Sequence, residues 1–184
     1  MLAFTVLAII LIASGLFDPS PLGSQRWTTE LAQMSLPRNS REIQWLDKDL
    51  PQSPFTIRLN AVRQSGERDI GYGLALGDQS AYLAVAVSPL GYLAIWEAAE
   101  EDAIIVDSYL LNWQTWPHVH TAGESNEIWL DISEDRAAVR INREWLWEGE
   151  ISAVTGSVGL LGESFGETAV IDFETVELFS DASE

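Results

Sequence analysis

From Phe55 onward the chain alternates apolar and polar side chains with a period of two. In "FTIRLNA", Phe55, Ile57, Leu59 and Ala61 share one side, and Thr56, Arg58 and Asn60 the other. "IGYGLAL" sets Ile70, Tyr72, Leu74 and Leu76 against Gly71, Gly73 and Ala75. "EIWLDIS" turns Ile128, Leu130 and Ile132 inward, and "RAAVRIN" turns Ala137, Val139 and Ile141 inward. "GSVGLLG" and "TAVIDFETVELF" supply two late strands. Short strands separated by turn signals, with no helix-period stretch among them, predict an antiparallel sandwich or barrel.

The segment "SAYLAVAVSPLGYLAIWE", residues 80–97, breaks the alternation because it is apolar on both sides. Taking Pro89-Leu90 as a two-residue turn places Leu83, Val85 and Val87 opposite Trp96, Ala94 and Tyr92. Tyr82, Ala84 and Ala86 then oppose Glu97, Ile95 and Leu93. A hairpin apolar on both faces is covered on both, one cover being the opposing sheet. The same counting, with turns at Glu134-Asp135 and Arg143-Glu144, predicts an outward row Trp129–Arg140–Trp147, with Leu146 joining Ile141 inside.

The amino-terminal 1–17 stretch, "MLAFTVLAIILIASGLF", carries no charge and is expected to be a helical signal peptide or membrane anchor. Residues 18–40 hold three prolines and "RWTTELAQMSL", which reads as a linker with a short helix, leaving 41–184 as the domain. There is no cysteine, which excludes disulfides, a thiol nucleophile and thiolate metal ligation.

The net charge of −18 is unevenly placed, with twelve acidic residues and no Lys or Arg from Asp69 to Asp135. Such a field repels phosphate, so nucleic acid is excluded as a partner.

The order "GYGLALGD…AYLAVAVSPLGYLAIWE…SNEIWLDISEDRAAVRINREWLWEG…GSVGLLG…AVIDFETVEL" resembles the concanavalin A-like lectin/glucanase jelly rolls, especially the bacterial laminin-G-like and DUF1080-type domains. The matching positions are Gly71, Gly73, Tyr82, Gly91, Asn126, Asn142, Gly156 to Leu160 and Asp172-Phe173. The resemblance implies an all-β antiparallel jelly-roll β-sandwich, here preceded by the hydrophobic helix. At Asn142-Arg143 the family usually has Gly after Asn, so a different turn type is expected.

Glycosidases of this superfamily carry alternating carboxylates on one central strand, flanking one bond about 5–5.5 Å apart. Asp172-Phe173-Glu174 is the nearest match, on the last strand and without a third carboxylate in phase. Asp78, Glu100, Glu101 and Asp102 could contribute to a Ca²⁺ site, but no spacing motif supports one. His118 and His120 share a side of an extended segment without an identifiable third ligand. No catalytic or metal-ligating residue is therefore assigned, and Ca²⁺ is the only cofactor left open.

Aromatic residues are the stronger signal, with eight Trp in the chain. Sugar rings stack on exposed aromatic planes while polar groups take their hydroxyls. The expected ligand-binding set is Tyr82, Tyr92, Tyr109, Trp113, Trp116 and His118, with Trp113 and Trp116 sharing a concave face with Tyr82 or Tyr92. The leading function is a non-catalytic, extracytoplasmic module of the cell envelope that binds carbohydrate. The alternatives are a glycoside or keto-disaccharide hydrolase of the DUF1080 type, and a structural accessory subunit that binds another envelope protein.

Overall fold

The computed structural model describes residues 18–30 and 33–181. The 1–17 segment expected to be a helical signal or anchor lies outside them. Two antiparallel sheets stack face to face, and the described residues contain no helix.

The first sheet runs β1 (Ser24–Glu30), β13 (Ala169–Ser180), β4 (Phe55–Gly66), β9 (Asn126–Ser133), β10 (Arg136–Ile141), β11 (Glu144–Glu150), with β2 (Gln33–Leu36) also on β13. The second runs β3 (Arg41–Asp49), β12 (Ser157–Ser164), β5 (Ile70–Gly77), β6 (Ala81–Val87), β7 (Tyr92–Glu101), β8 (Ile104–Thr115). Between the sheets lies one core built from the predicted inward positions, including Phe55, Ile57, Leu59, Leu74, Ile128, Leu130, Val139 and Phe173. Each such side chain contributes about 1.5–3 kcal/mol by leaving water.

Four expectations change. Within the segment read as linker with a short helix, residues 24–30 and 33–36 form β1 and β2. Met34 and Leu36 alternate into the core, a period of two rather than 3.6.

The β6–β7 hairpin slips by one residue. Ser88 N–H donates to Tyr92 O at 2.8 Å, Gly91 N–H donates to Ser88 O at 2.9 Å, and Gly91 has φ +87°. The loop is therefore three residues, Pro89-Leu90-Gly91, closed by a left-handed glycine. Val85 pairs with Ile95 and Ala84 with Trp96. A one-residue slip exchanges faces, so Leu93 and Ile95 enter the core while Trp96 turns outward. The hairpin remains apolar on both sides, in two separate clusters.

The β9–β10 register is as expected, with Trp129 opposite Arg140. The next turn is Asn142-Arg143, both at positive φ (52° and 71°), and a bulge follows between Val139 and Arg140. That pair of angles suits the same primed turn that Asn-Gly makes, so the expected change of turn type does not occur. The Asn142 carboxamide fixes the turn, accepting from Glu127 N–H at 2.8 Å and donating to His118 O at 2.7 Å. Trp145, not Trp147, stands beside Arg140, and Trp147 packs against the core.

Candidate functional site

The outer face of the second sheet has an unusually small floor. Registers align Trp45, Gly159, Ala75, Ala84, Trp96 and Tyr109 in one row across the six strands. The next row is Ile43, Leu161, Gly73, Ala86 and Ala94, with Leu161, Ala86 and Ala94 buried beneath the larger side chains. Glycine is required under the indoles: a Cβ on Gly71 would lie 2.9 Å from the Trp113 ring, and one on Gly159 2.9 Å from the Trp45 ring. Bulges in β7–β8 turn Leu111 into the core while leaving Tyr109 and Trp113 outward.

Over this floor sits a charged clasp. Arg41 on β3 holds Asp107 on β8 through Nη1 (2.9 Å) and Nη2 (2.8 Å). It also holds Glu163 on β12 through Nε (3.1 Å) and Nη2 (2.9 Å). β3 and β8 are the opposite edges of the sheet. Five flat strand spacings would separate them by about 24 Å, far beyond the reach of an Arg–Asp pair, so the sheet curls until its edges meet side chain to side chain. Trp96 lies beneath, fully buried, with the guanidinium carbon 5.2 Å from its ring centroid.

Burial pushes the Glu163 carboxyl above its ordinary range, against the opposing pull of Arg41. Burial alone would lower the Arg41 pKa, yet the Asp107 hydrogen bond and the charges of Glu163 and Asp107 raise it. Burial likewise raises the Tyr82 and Tyr109 phenols. Glu163 Oε2 and Trp96 Nε1 are buried without a hydrogen-bond partner.

Two clefts include residues of this face, and Arg41 lines the smaller of them. One, about 470 Å³, is lined by Glu67, Arg68, Asp69, Ser88, Leu90, Tyr92, Trp113 and Phe165. Trp113 meets Phe165 edge-on at 5.9 Å, while Tyr92 and Phe165 are 41% and 44% exposed. The Glu67 carboxylate accepts from the Arg68 and Asp69 amides, which hold it below its usual range. The other cleft, about 360 Å³, is lined by Arg41, Ile43, Trp45, Gln79, Tyr82 and Ile105.

The six residues expected to bind ligand are thus divided. Tyr92 and Trp113 meet in the larger cleft, and Tyr82 lines the smaller one. Tyr109 stays on the same face against Trp96, at 5.9 Å. Trp116 packs on the main core and His118 stacks on it at 5.7 Å, so neither joins Trp113 in the cleft. Their loop is fixed by Trp116 N–H to Gly91 O and by buried Asn126, whose carboxamide bonds the His120 backbone and the Tyr72 hydroxyl.

Phe165, Trp45, Trp96 and the clasp were not singled out by sequence. Their signal was Arg41-x-Ile43-x-Trp45, an alternation beside the apparent linker, and Leu161-x-Glu163-x-Phe165. Asp78 is engaged by Ser80 and the Ala81 amide, and no cluster of three metal-ligating side chains occurs among the described residues.

This architecture is an all-β, two-sheet sandwich of the jelly-roll kind. Among solved structures, the chain is similar to the carbohydrate binding module CBM66 from Bacillus subtilis, with TM-score 0.63 at 13% identity, over 88% of this chain and 98% of that one. It is also similar to a GH16 enzyme of the Bacteroides ovatus mixed linkage glucan locus, with TM-score 0.57 at 9% identity, covering 79% of each chain. A third similarity is to Aspergillus kawachii beta-fructofuranosidase, with TM-score 0.52 at 10% identity, over 83% of this chain and 27% of the enzyme. No family model matches the sequence, and no curated protein matches it.

Proposed function

We propose that the protein is a non-catalytic carbohydrate-binding module, and that the Tyr92–Trp113–Phe165 cleft is its site. The observation that carries this is the cleft itself, lined by the exposed rings of Tyr92 and Phe165, by Trp113, and by the polar Ser88, Arg68 and Asp69. Apolar walls with a few convergent polar groups suit a sugar ring, whose C–H faces stack while its hydroxyls hydrogen-bond. Similarity to a carbohydrate binding module and to glycoside hydrolases supports the same ligand class.

We prefer binding without hydrolysis because Asp107 and Glu163 over the sheet are both committed to Arg41, and in the cleft itself the Glu67 carboxylate is taken up by the Arg68 and Asp69 amides. Asp172 and Glu174 belong to β13, in the other sheet. The chain is read as acting in the cell envelope, delivered or anchored by residues 1–17, as a relative of the laminin-G-like and DUF1080-type domains.

Titration of neutral glucan and fructan oligosaccharides by calorimetry tests the reading. Tyr92→Ala and Trp113→Ala should each weaken binding by at least about tenfold, the 1.4 kcal/mol scale of one lost stacking partner. Unchanged affinity in both variants would place the site elsewhere.

A further inference from the structure

We propose that the free edge of β8 takes up an extended, basic segment of another protein as an added strand of the second sheet. The stretch involved, residues 104–109, lines no part of the Tyr92–Trp113–Phe165 cleft, so the proposal stands apart from the carbohydrate reading. An edge strand presents a row of unpaired N–H and C=O groups, which proteins guard with charge, short length or bulges. The other edges here are guarded. β3 carries Arg41, Glu42, Asp47, Lys48 and Asp49, and β11 carries Glu144, Glu148 and Glu150. β1 carries Arg26 and Glu30, and β2 is four residues long. β8 is twelve residues long, and its one charge, Asp107, is neutralised by Arg41. Its bulges fall beyond Tyr109, so residues 104–109 pair with β7 in unbroken register. Their other side has no strand against it among the described residues. Ile104, Ile105 and Val106 are 67%, 38% and 43% exposed, three successive apolar β-branched residues on a regular open edge.

A recess flanks this edge on each face. Ile105, on the outer face with Asp107, lines the 360 Å³ cleft together with Ile43, Trp45 and Tyr82. Val106 and Ser108, on the opposite face, line a recess of about 240 Å³ with Asp78, Glu97 and Glu101. Side chains of an added strand alternate between these faces. Strand addition takes its affinity from main-chain hydrogen bonds and its specificity from such alternate recesses. The first recess suits an apolar side chain. The second has three carboxylates and no Lys or Arg in its lining, so it suits a cation. A second copy of this chain would bring the same acidic edge, with no Lys or Arg from Asp69 to Asp135 and a net charge of −18 to repel it. The occupant is therefore a segment of a different protein, with Lys or Arg at every second position and apolar residues between.

The test titrates the full chain with a terminally blocked peptide of about eight residues that alternates lysine with valine. Its counterpart has glutamate in place of lysine. The lysine peptide should bind at least about tenfold more tightly than the glutamate peptide. Hydrogen exchange should show new amide protection confined to residues 104–109 of the protein and their β7 partners. Val106→Lys, at an exposed position and checked for folding by circular dichroism, should weaken the lysine peptide by at least about tenfold. If that variant does not fold, the exchange map of the wild type still decides. Equal binding of the two peptides would overturn the basic partner. Protection at another edge, or no binding of either peptide, would overturn the β8 site. Self-association of the wild type through residues 104–109, read by sedimentation and the same exchange map, would overturn the foreign partner in favour of a second copy.

Discussion

The two outer faces of this sandwich are built from the same residue types and differ in what surrounds them. On the first sheet, Glu177, Arg58, Trp129, Arg140 and Trp145 form one row across five strands. Arg58 lies 5.2 Å from Trp129 and 4.6 Å from Phe179 and pairs with Glu177 at 2.8 Å, and Arg140 lies 4.6 Å from Trp145. The Trp129 indole N–H donates to Asp131. That row is zipped closed. On the second sheet an Arg again rides a buried Trp, but the strands beside that Trp carry Ala84, Ala75 and Gly159, its indole N–H has no partner, and Arg41 lines a cleft. An Arg–Trp contact therefore marks structure on one face and borders a recess on the other, and the size of the neighbouring floor residues decides which.

The largest expected difference between the faces is in packing at their centres. Trp96→Ala empties a fully covered position and should destabilise the protein by about 3–5 kcal/mol, measured by chemical unfolding. Trp145→Ala, at an exposed position on the other face, should cost no more than about 1 kcal/mol, chiefly its cation–π contact. Similar losses in the two variants would remove the distinction.

Binding gives the next contrast. Phe165→Ala should weaken an oligosaccharide that the wild type binds by about tenfold, whereas Trp145→Ala should leave its affinity unchanged in the same titration. A loss confined to Trp145→Ala would transfer the site to the first sheet.

A smaller contrast lies in pH dependence. The folded-state pKa of Glu163 is raised, so the fold favours its protonated form. Its relative contribution to stability is fully present below the unfolded-state pKa and is lost as pH rises through the folded-state value. Glu163→Gln should remove that decline from a stability profile taken from the ordinary carboxylate range upward. Glu177→Gln, whose carboxylate pairs with Arg58 on the other face, should retain it. A wild-type slope that persists in Glu163→Gln would assign the decline to another group.

Much of the first sheet was legible because its strands alternate cleanly and its Glu134-Asp135 turn has the length that counting assumes. Where loops departed from that length, faces were misassigned. Gly91 added a third loop residue and carried Trp96 to the outer face, and Asn142-Arg143 put Trp145 where Trp147 was expected. Neither change is visible in hydrophobicity, because Trp and Ala satisfy both faces of the β6–β7 hairpin. Tyr92 and Trp113, which the fold brings into one cleft, stood out in the sequence, but Arg41 and Phe165 did not. They come from strands or loops far away in sequence, and only the strand order β3-β12-β5-β6-β7-β8 brings them to this face.

Amide chemical-shift mapping during titration with the tightest-binding glucan or fructan oligosaccharide locates the ligand on the molecule. Shifts should cluster at residues 67–69, 88–92, 113 and 165, with the row from Arg58 to Trp145 silent. Shifts centred on that row, or on the Trp116–His118 loop without the cleft, would contradict that placement.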